Sequence, residues 1–523
     1  MKPDLVNFVT GKGVPLKRNK YLFFILLSLA VSLLLGCLIS GLYGAETFWR
    51  GLPGAAFLVF ASCLLLYAAW QVADRNKTVG WIMLAVYLIR LLLGVGFTAW
   101  LPEYGYDTPQ QNAGYLFRDA YERDQESWGN NLSKESLWDV YWVGFDTDQY
   151  GGLLLIGAII YRTFSSDLHR AALLLILSAF FAALAVPFLW KAIRHTWTGK
   201  LTNTALWIYA LYPDSILFSS SQMREPYLFA SSAMSFWAVQ TWREHKTKSV
   251  IVFLLNALFI MLISAKVGMF IMAFLLVWFI LVQFPPQKKW VQIGFVAGLI
   301  GGGIIIGLAS WAWLKSTASW EVLVNIQNSG WVQKLVANLD PKMQIAFLTG
   351  YGLVQPLLPA AIAEPSIVLW KTIAITRALG WYLILPFIAY GVFSIPLEKD
   401  VKKRWLILWT AIFMIMWFVL SSARAGGDLW DNPRYRFAFL PWIGLFIAWA
   451  WETARKARNG WLIRWFVGIW SFVLLITHWY IGRYTSWFTP LDFKWYFVLF
   501  GIVMLVIIAQ GIYHMLSHRH AKE

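Results

Sequence analysis

Fourteen apolar runs, separated by short polar or basic connections, leave this chain few choices of fold. They lie near 21–43, 54–73, 79–101, 171–190, 201–219, 226–242, 249–265, 267–283, 291–313, 378–396, 405–421, 437–451, 462–481 and 495–513. A helix needs about 20 apolar residues to cross the hydrocarbon core, and a helix satisfies its own backbone there. The pattern predicts an all-α polytopic membrane protein with about 14 transmembrane helices. Charged residues make up 14% of the chain, where soluble domains carry about 25%. That excludes an ordinary soluble enzyme, a disordered chain and a disulfide scaffold; Cys37 and Cys63 both lie inside apolar runs.

The net charge of +17 suggests nucleic acid at first sight, but its distribution argues for a membrane instead. With the N-terminus placed in the cytoplasm, the inside connections hold 25 Lys/Arg against 7 Asp/Glu, and the outside ones 18 against 20. This is the positive-inside bias. It predicts both termini in the cytoplasm and no nucleic-acid partner. The first run, long enough to span, reads as a retained signal anchor. Two outside segments are too long to be connectors: 102–150, with ten Asp/Glu against three Lys/Arg, and 314–377. Segment 151–163 is apolar but too short to span, and the glycines and prolines of 345–363 suit a re-entrant or interfacial stretch. Long structured loops are usually functional, so the outer face is where chemistry is expected.

No Walker A loop, HExxH, CxxC or serine-elbow motif occurs, and seven scattered histidines offer no ligand set; a divalent metal is the one cofactor left open. Arg90 is the clear intramembrane charge, either a snorkelling residue or the partner of a carboxylate. The carboxylates gather in the first outer loop, in FRDAYERD (Asp119, Tyr121, Asp124) and GFDTDQYGG (Asp146, Asp148). A carboxylate beside a helix end can act as general base toward a hydroxyl, although a solvated acidic loop explains most of them equally well. The next outer turn carries Arg224 and Glu225 ahead of Pro226, and Lys266 sits in the tight turn SAKVG. Arg434 and Arg436 in NPRYRFAFLP suit a phosphate at headgroup depth, or simply anchor a helix.

In this order the motifs resemble the GT-C superfamily of polytopic glycosyltransferases, and are similar to its protein O-mannosyltransferase and aminoarabinose-transferase branch. The resemblance runs from Arg90 through FRDAYERD, the short apolar stretch, the Tyr212–Pro213 … Arg224–Glu225 turn and Lys266 to NPRYRFAFLP, covering about 79–450. Residues 1–78 and 451–523 each add two helices outside it. The resemblance implies transfer of a sugar from a polyprenyl-phosphate donor to a lipid, glycan or protein hydroxyl on the non-cytoplasmic face. It maps the base by position to Asp119, a second acid to Glu225, and donor-phosphate contacts to Lys266, Arg224, Arg434 and Arg436. The chain lacks the family's adjacent Asp-Glu pair and its Lys-Pro-Pro element, so the base stays open among Asp119, Asp124, Asp146 and Asp148. A polysaccharide polymerase or ligase using a lipid pyrophosphate, and a glycolipid transporter, are the competing readings. A bacterial inner membrane is the expected location.

Overall fold

A computed structural model of the chain describes residues 18–104, 115–148, 150–286, 288, 290–294, 297–298, 301, 334, 336–363, 366–425, 431–458 and 460–520. The chain is an all-α polytopic membrane protein, without strand among the described residues. It divides into two compact units, residues 1–280 and 281–523. Trp320 and Trp331 of the second predicted outer loop lie outside the described residues, as does most of the predicted span 291–313.

The first unit opens with the hairpin α1 (Arg18–Gly41) and α2 (Ala45–Trp70), followed by α3 (Lys77–Tyr104). The predicted outer loop is itself helical, forming α4 (Arg118–Ser133) and α5 (Leu137–Asp148). The short apolar stretch is α6 (Gly151–Phe164), 14 residues long and packed against both. Then come α7 (Ala172–Arg194), α8 (Gly199–Leu211), α9 (Pro213–Ser219), α10 (Glu225–Gln240) and α11 (Lys246–Gln283). At the centre stands α7, with α3 and α10 against it. Ser178, Ala179, Ala182, Ala183 and Ala185 are buried on it, small residues of the kind that let helices approach closely in a membrane.

Among the described residues nine helices are long and apolar enough to cross a membrane. They carry ten of the fourteen predicted runs, because α11 carries two. A straight helix of 38 residues would extend about 57 Å, but α11 reverses at Ser264, whose backbone is extended (φ −165°, ψ 93°). A Cβ built on Gly268 would meet the Ile260 carbonyl at 3.3 Å, and Phe279 returns to within 5.2 Å of Trp242, ring to ring. The two arms form a helical hairpin with SAKVG at its tip. The run 201–219 is divided by Pro213, and 226–242 forms a helix of only 16 residues.

The division of 201–219 follows from local chemistry. A residue before proline is pushed out of the helical region, and Tyr212 is extended at φ −63°, ψ 128°. Carbonyls at the end of α8 then lose helical partners, and inside a membrane protein side chains must replace them. Arg90, fully buried on α3, does so. Its Nη2 donates to the carbonyls of Tyr209 (3.4 Å) and Ala210 (3.1 Å) and to Ser215 Oγ (2.8 Å). Those partners are carbonyls and a hydroxyl at a helix C-terminus, where a cation is favourable.

The second unit contains α12 (Pro341–Val354), α13 (Leu358–Ala363), α14 (Val368–Ser394), α15 (Val401–Ala425), α16 (Asp431–Phe437), α17 (Leu440–Ala457), α18 (Trp461–Tyr484) and α19 (Phe493–His520). The predicted run 437–451 falls in α17, 18 residues long. The stretch 345–363 is a helix interrupted at Gln355–Pro356, and every carbonyl from 352 to 355 has a side-chain donor. Arg436 reaches Gly352 (2.6 Å) and Gln355 (2.9 Å), Trp381 Nε1 reaches Leu353 (3.2 Å), and Tyr382 Oη reaches Val354 (2.7 Å). A buried arginine thus caps a proline-interrupted helix in both units.

Candidate functional site

Among the described residues of the first unit, one end of the helices carries α4, α5 and the α11 hinge. Two glycines open α6, and the second fits because the hinge backbone passes over it. A Cβ on Gly152 would lie 2.3 Å from the Leu262 carbonyl oxygen. On the other side of the hinge, Ser264 Oγ accepts a hydrogen bond from Arg224 Nη1 at 3.2 Å. Pro226 starts α10, which places Glu225 in its first turn and Arg224 just before it. Glu225 is 2% exposed, and Arg224 Nε lies 3.8 Å from its Oε1. The helix N-terminus adds to the stability of that anion.

Tyr150 joins this cluster to the loop helices. The Arg224 guanidinium lies 4.8 Å from its ring centroid and the Arg123 guanidinium 4.7 Å. Cations are favourable over aromatic faces. Arg123 also pairs with Glu126 at 3.2 Å. One turn back on the same face of α4 stands Asp119, half-buried in the first helical turn. Lys266, half-buried, follows the hinge serine by two residues. Contacts therefore run from Arg123 through Tyr150 and Arg224 to Glu225 and the Ser264 hinge, with Asp119 one helical turn from Arg123 and Lys266 two residues beyond Ser264.

Asp124 has a different setting. Its side chain is fully buried, and it accepts hydrogen bonds from the hydroxyls of Tyr115 and Tyr161, with His169 Nε2 2.9 Å from Oδ2. Trp128 stacks on His169 at 5.2 Å. Burial, and then the neighbouring Asp124 charge, hold the Tyr115 phenol well above the ordinary tyrosine range, so it stays a donor. The cavity beside Asp124 measures about 10 Å³, about one water. The carboxylate fastens α4 to α6 and to the turn before α7.

The other predicted residues are placed as follows. Asp146 and Asp148 belong to α5, their side chains outside the described residues. Tyr121 packs edge-on against Tyr115 at 5.3 Å. In the second unit Arg434 and Arg436 are both buried on α16. Arg436 is held at the α12 break, with Trp381 4.1 Å below its guanidinium, while Arg434 and Arg424 lie against Tyr435 at 5.6 and 5.0 Å. Sequence reasoning passed over Gly152, Ser264 and His169. The glycine pair ahead of an apolar helix was the available sign that another backbone comes close there. Among the described residues no group of three or more His, Cys, Asp or Glu is placed to hold a metal ion.

The close approach at Gly152 gives a direct test. Gly152→Ala drives a methyl group into backbone, which has little freedom to move aside, and should cost about 1–3 kcal/mol while displacing the hinge. Gly129, on α4, has nothing within 4 Å of a built Cβ, so Gly129→Ala should be neutral or stabilise by about 0.5–1 kcal/mol. Thermal unfolding in detergent compares the two; equal midpoints would show that the hinge does not bear on α6.

No family model matches the chain, and no curated protein matches it. Among solved structures it is similar to the archaeal oligosaccharyltransferase AglB from Archaeoglobus fulgidus, determined in complex with an inhibitory peptide and a dolichol-phosphate. The identity is 12% and the TM-score 0.38, over 83% of this chain and 56% of that one. The chain thus spans just over half the length of that structure. At this level of likeness, the chemistry of the site has to come from its own residues.

Proposed function

We propose that the protein is a membrane glycosyltransferase that moves a sugar from a polyprenyl-phosphate donor to an acceptor hydroxyl on the non-cytoplasmic face of a bacterial inner membrane. The observation that carries this reading is the set of contacts in the first unit. Arg123, Tyr150, Arg224 and Glu225 are joined by contacts at one end of the helices, and Asp119 stands one helical turn from Arg123.

The division of labour follows from each setting. Asp119, half-buried at the start of α4, is the base. It takes the proton of the acceptor hydroxyl as that oxygen attacks the anomeric carbon. The bond between the anomeric carbon and the phosphate oxygen breaks, and the electron pair leaves with the lipid phosphate. Arg224 and Lys266 stabilise the charge that develops there, an electrostatic contribution that grows toward the transition state. Glu225 holds Arg224 in place, and the Tyr150 ring offers an aromatic surface beside the sugar. Asp124 anchors the loop helices, and Arg436 supports the broken helix of its own unit.

A sugar-transfer assay tests the proposal. Purified protein in detergent, given a radiolabelled polyprenyl-phosphate sugar and membrane extract, should move label from the lipid to a polar acceptor, and cells lacking the protein should accumulate the charged donor. Label that stays on the lipid, with no donor accumulating in those cells, would reject it. Transfer only from a lipid pyrophosphate would favour a polymerase or ligase.

A further inference from the structure

The second unit contains a large apolar groove, and none of the residues assigned above to sugar transfer lines it. We infer that it binds one anionic phospholipid, with the phosphate at Arg464 and an acyl chain lying along α18. The groove encloses about 1340 Å³, more than the roughly 300–1,000 Å³ of ordinary small-molecule sites. One face of α18 forms its floor through Arg464, Gly468, Phe472, Ile476 and Tyr480, spaced by four residues. Helices α12, α13 and α19 supply the walls. With 24 residues, α18 is about 36 Å long, so the groove has the length of a bilayer's hydrocarbon core, about 30 Å.

Charge selects the occupant. Among the described lining residues Arg464 alone is charged, and it lies over the Trp461 ring at 5.2 Å. The stack of Phe393 on Trp465, 5.4 Å apart, places the 398–404 turn at this same end. That turn and the end of α17, residues 452–458, carry seven Lys/Arg against three Asp/Glu. Two of those acids are already paired, Glu452 with Lys456 and Asp400 with Lys403. Basic pockets between membrane helices recognise anionic headgroups. The opposite end of the groove is aromatic, with Tyr480 and Tyr484, and its one neighbouring arginine among the described contacts, Arg483, lies over the Trp479 and Tyr484 rings at 5.4 and 6.0 Å. Arg464, the charged residue among the described lining, sits at the end flanked by that basic turn, so a resident bilayer phospholipid with its headgroup there is the occupant that fits.

Native mass spectrometry of delipidated protein, titrated separately with phosphatidylglycerol, phosphatidylcholine and a polyprenyl phosphate, tests this. Phosphatidylglycerol should give a single retained adduct. Arg464→Gln should weaken it about fivefold, as expected for loss of one cation near a headgroup, and leave phosphatidylcholine unchanged. Ile469→Trp, which fills the groove, should remove the adduct. If that variant fails to fold, Arg464→Gln still decides. Equal retention of the two phospholipids, unaltered selectivity in Arg464→Gln, or displacement of phosphatidylglycerol by the polyprenyl phosphate would each overturn the inference. None of these readings depends on glycosyl transfer.

Discussion

Replacing Arg436 with leucine is expected to be among the most destabilising single changes in the second unit. The guanidinium is fully buried and donates to two carbonyls that flank the break at Gln355–Pro356. Leucine fills part of the space and takes the charged donor away from both carbonyls. Hydrogen bonds from charged groups are worth about 1.5–3 kcal/mol each, and the contact with Trp381 at 4.1 Å adds to them, so a loss of about 3–5 kcal/mol is expected. Neutral hydrogen bonds between membrane helices average only about 0.6 kcal/mol; the charge and the doubled acceptor make the difference. Arg436→Lys keeps the charge but has no planar fork to span two carbonyls, and should fall between. Thermal unfolding followed by fluorescence-detected size exclusion ranks the three proteins. An unchanged midpoint for Arg436→Leu would remove the arginine from the support of α12 and return it to the candidates for donor binding.

The same comparison shows what kind of information the sequence carried. Apolar run length made the fold class legible, and the five-residue interruption SAKVG was enough to place the α11 hinge, because so short a polar break leaves room only for a tight reversal. The arginines were harder. Arg90 stands out in the sequence because a cation in an apolar setting is costly and therefore needs a reason, and Arg436 because it sits with Arg434 around a tyrosine at the end of an apolar run. The sequence does not say whether the reason is a ligand or a backbone carbonyl. Each answers a proline elsewhere in the chain, Pro213 for Arg90 and Pro356 for Arg436, at separations that local patterning does not connect. Asp124 was ambiguous for the same cause. Its neighbours in sequence look like an acidic loop, while its partners Tyr161 and His169 lie 37 and 45 residues away. Local motifs mark the acid-aromatic segments; long-range pairing shows that Arg90, Arg436 and Asp124 brace backbone and neighbouring helices.

The bracing role of Asp124 sharpens the expectation for the carboxylates. Asp119→Asn should lower the turnover rate by about 10²–10⁴-fold, the usual range for general-base assistance, with the donor's binding constant largely intact. The amide keeps the shape and a hydrogen-bonding oxygen but does not take the acceptor's proton. Asp124→Asn should behave in the opposite way, because its carboxylate serves Tyr115, Tyr161 and His169 together. An amide nitrogen turned toward any of those donors loses that bond, so the midpoint falls and activity falls with the folded fraction. The two variants differ in which quantity moves, and that makes the assignment testable without knowing the acceptor. Donor binding by the detergent-solubilised protein, turnover with labelled donor, and thermal unfolding are measured side by side. Near-normal turnover in Asp119→Asn, together with a stable but inactive Asp124→Asn, would exchange their roles and require the cavity beside Asp124 to open during the reaction.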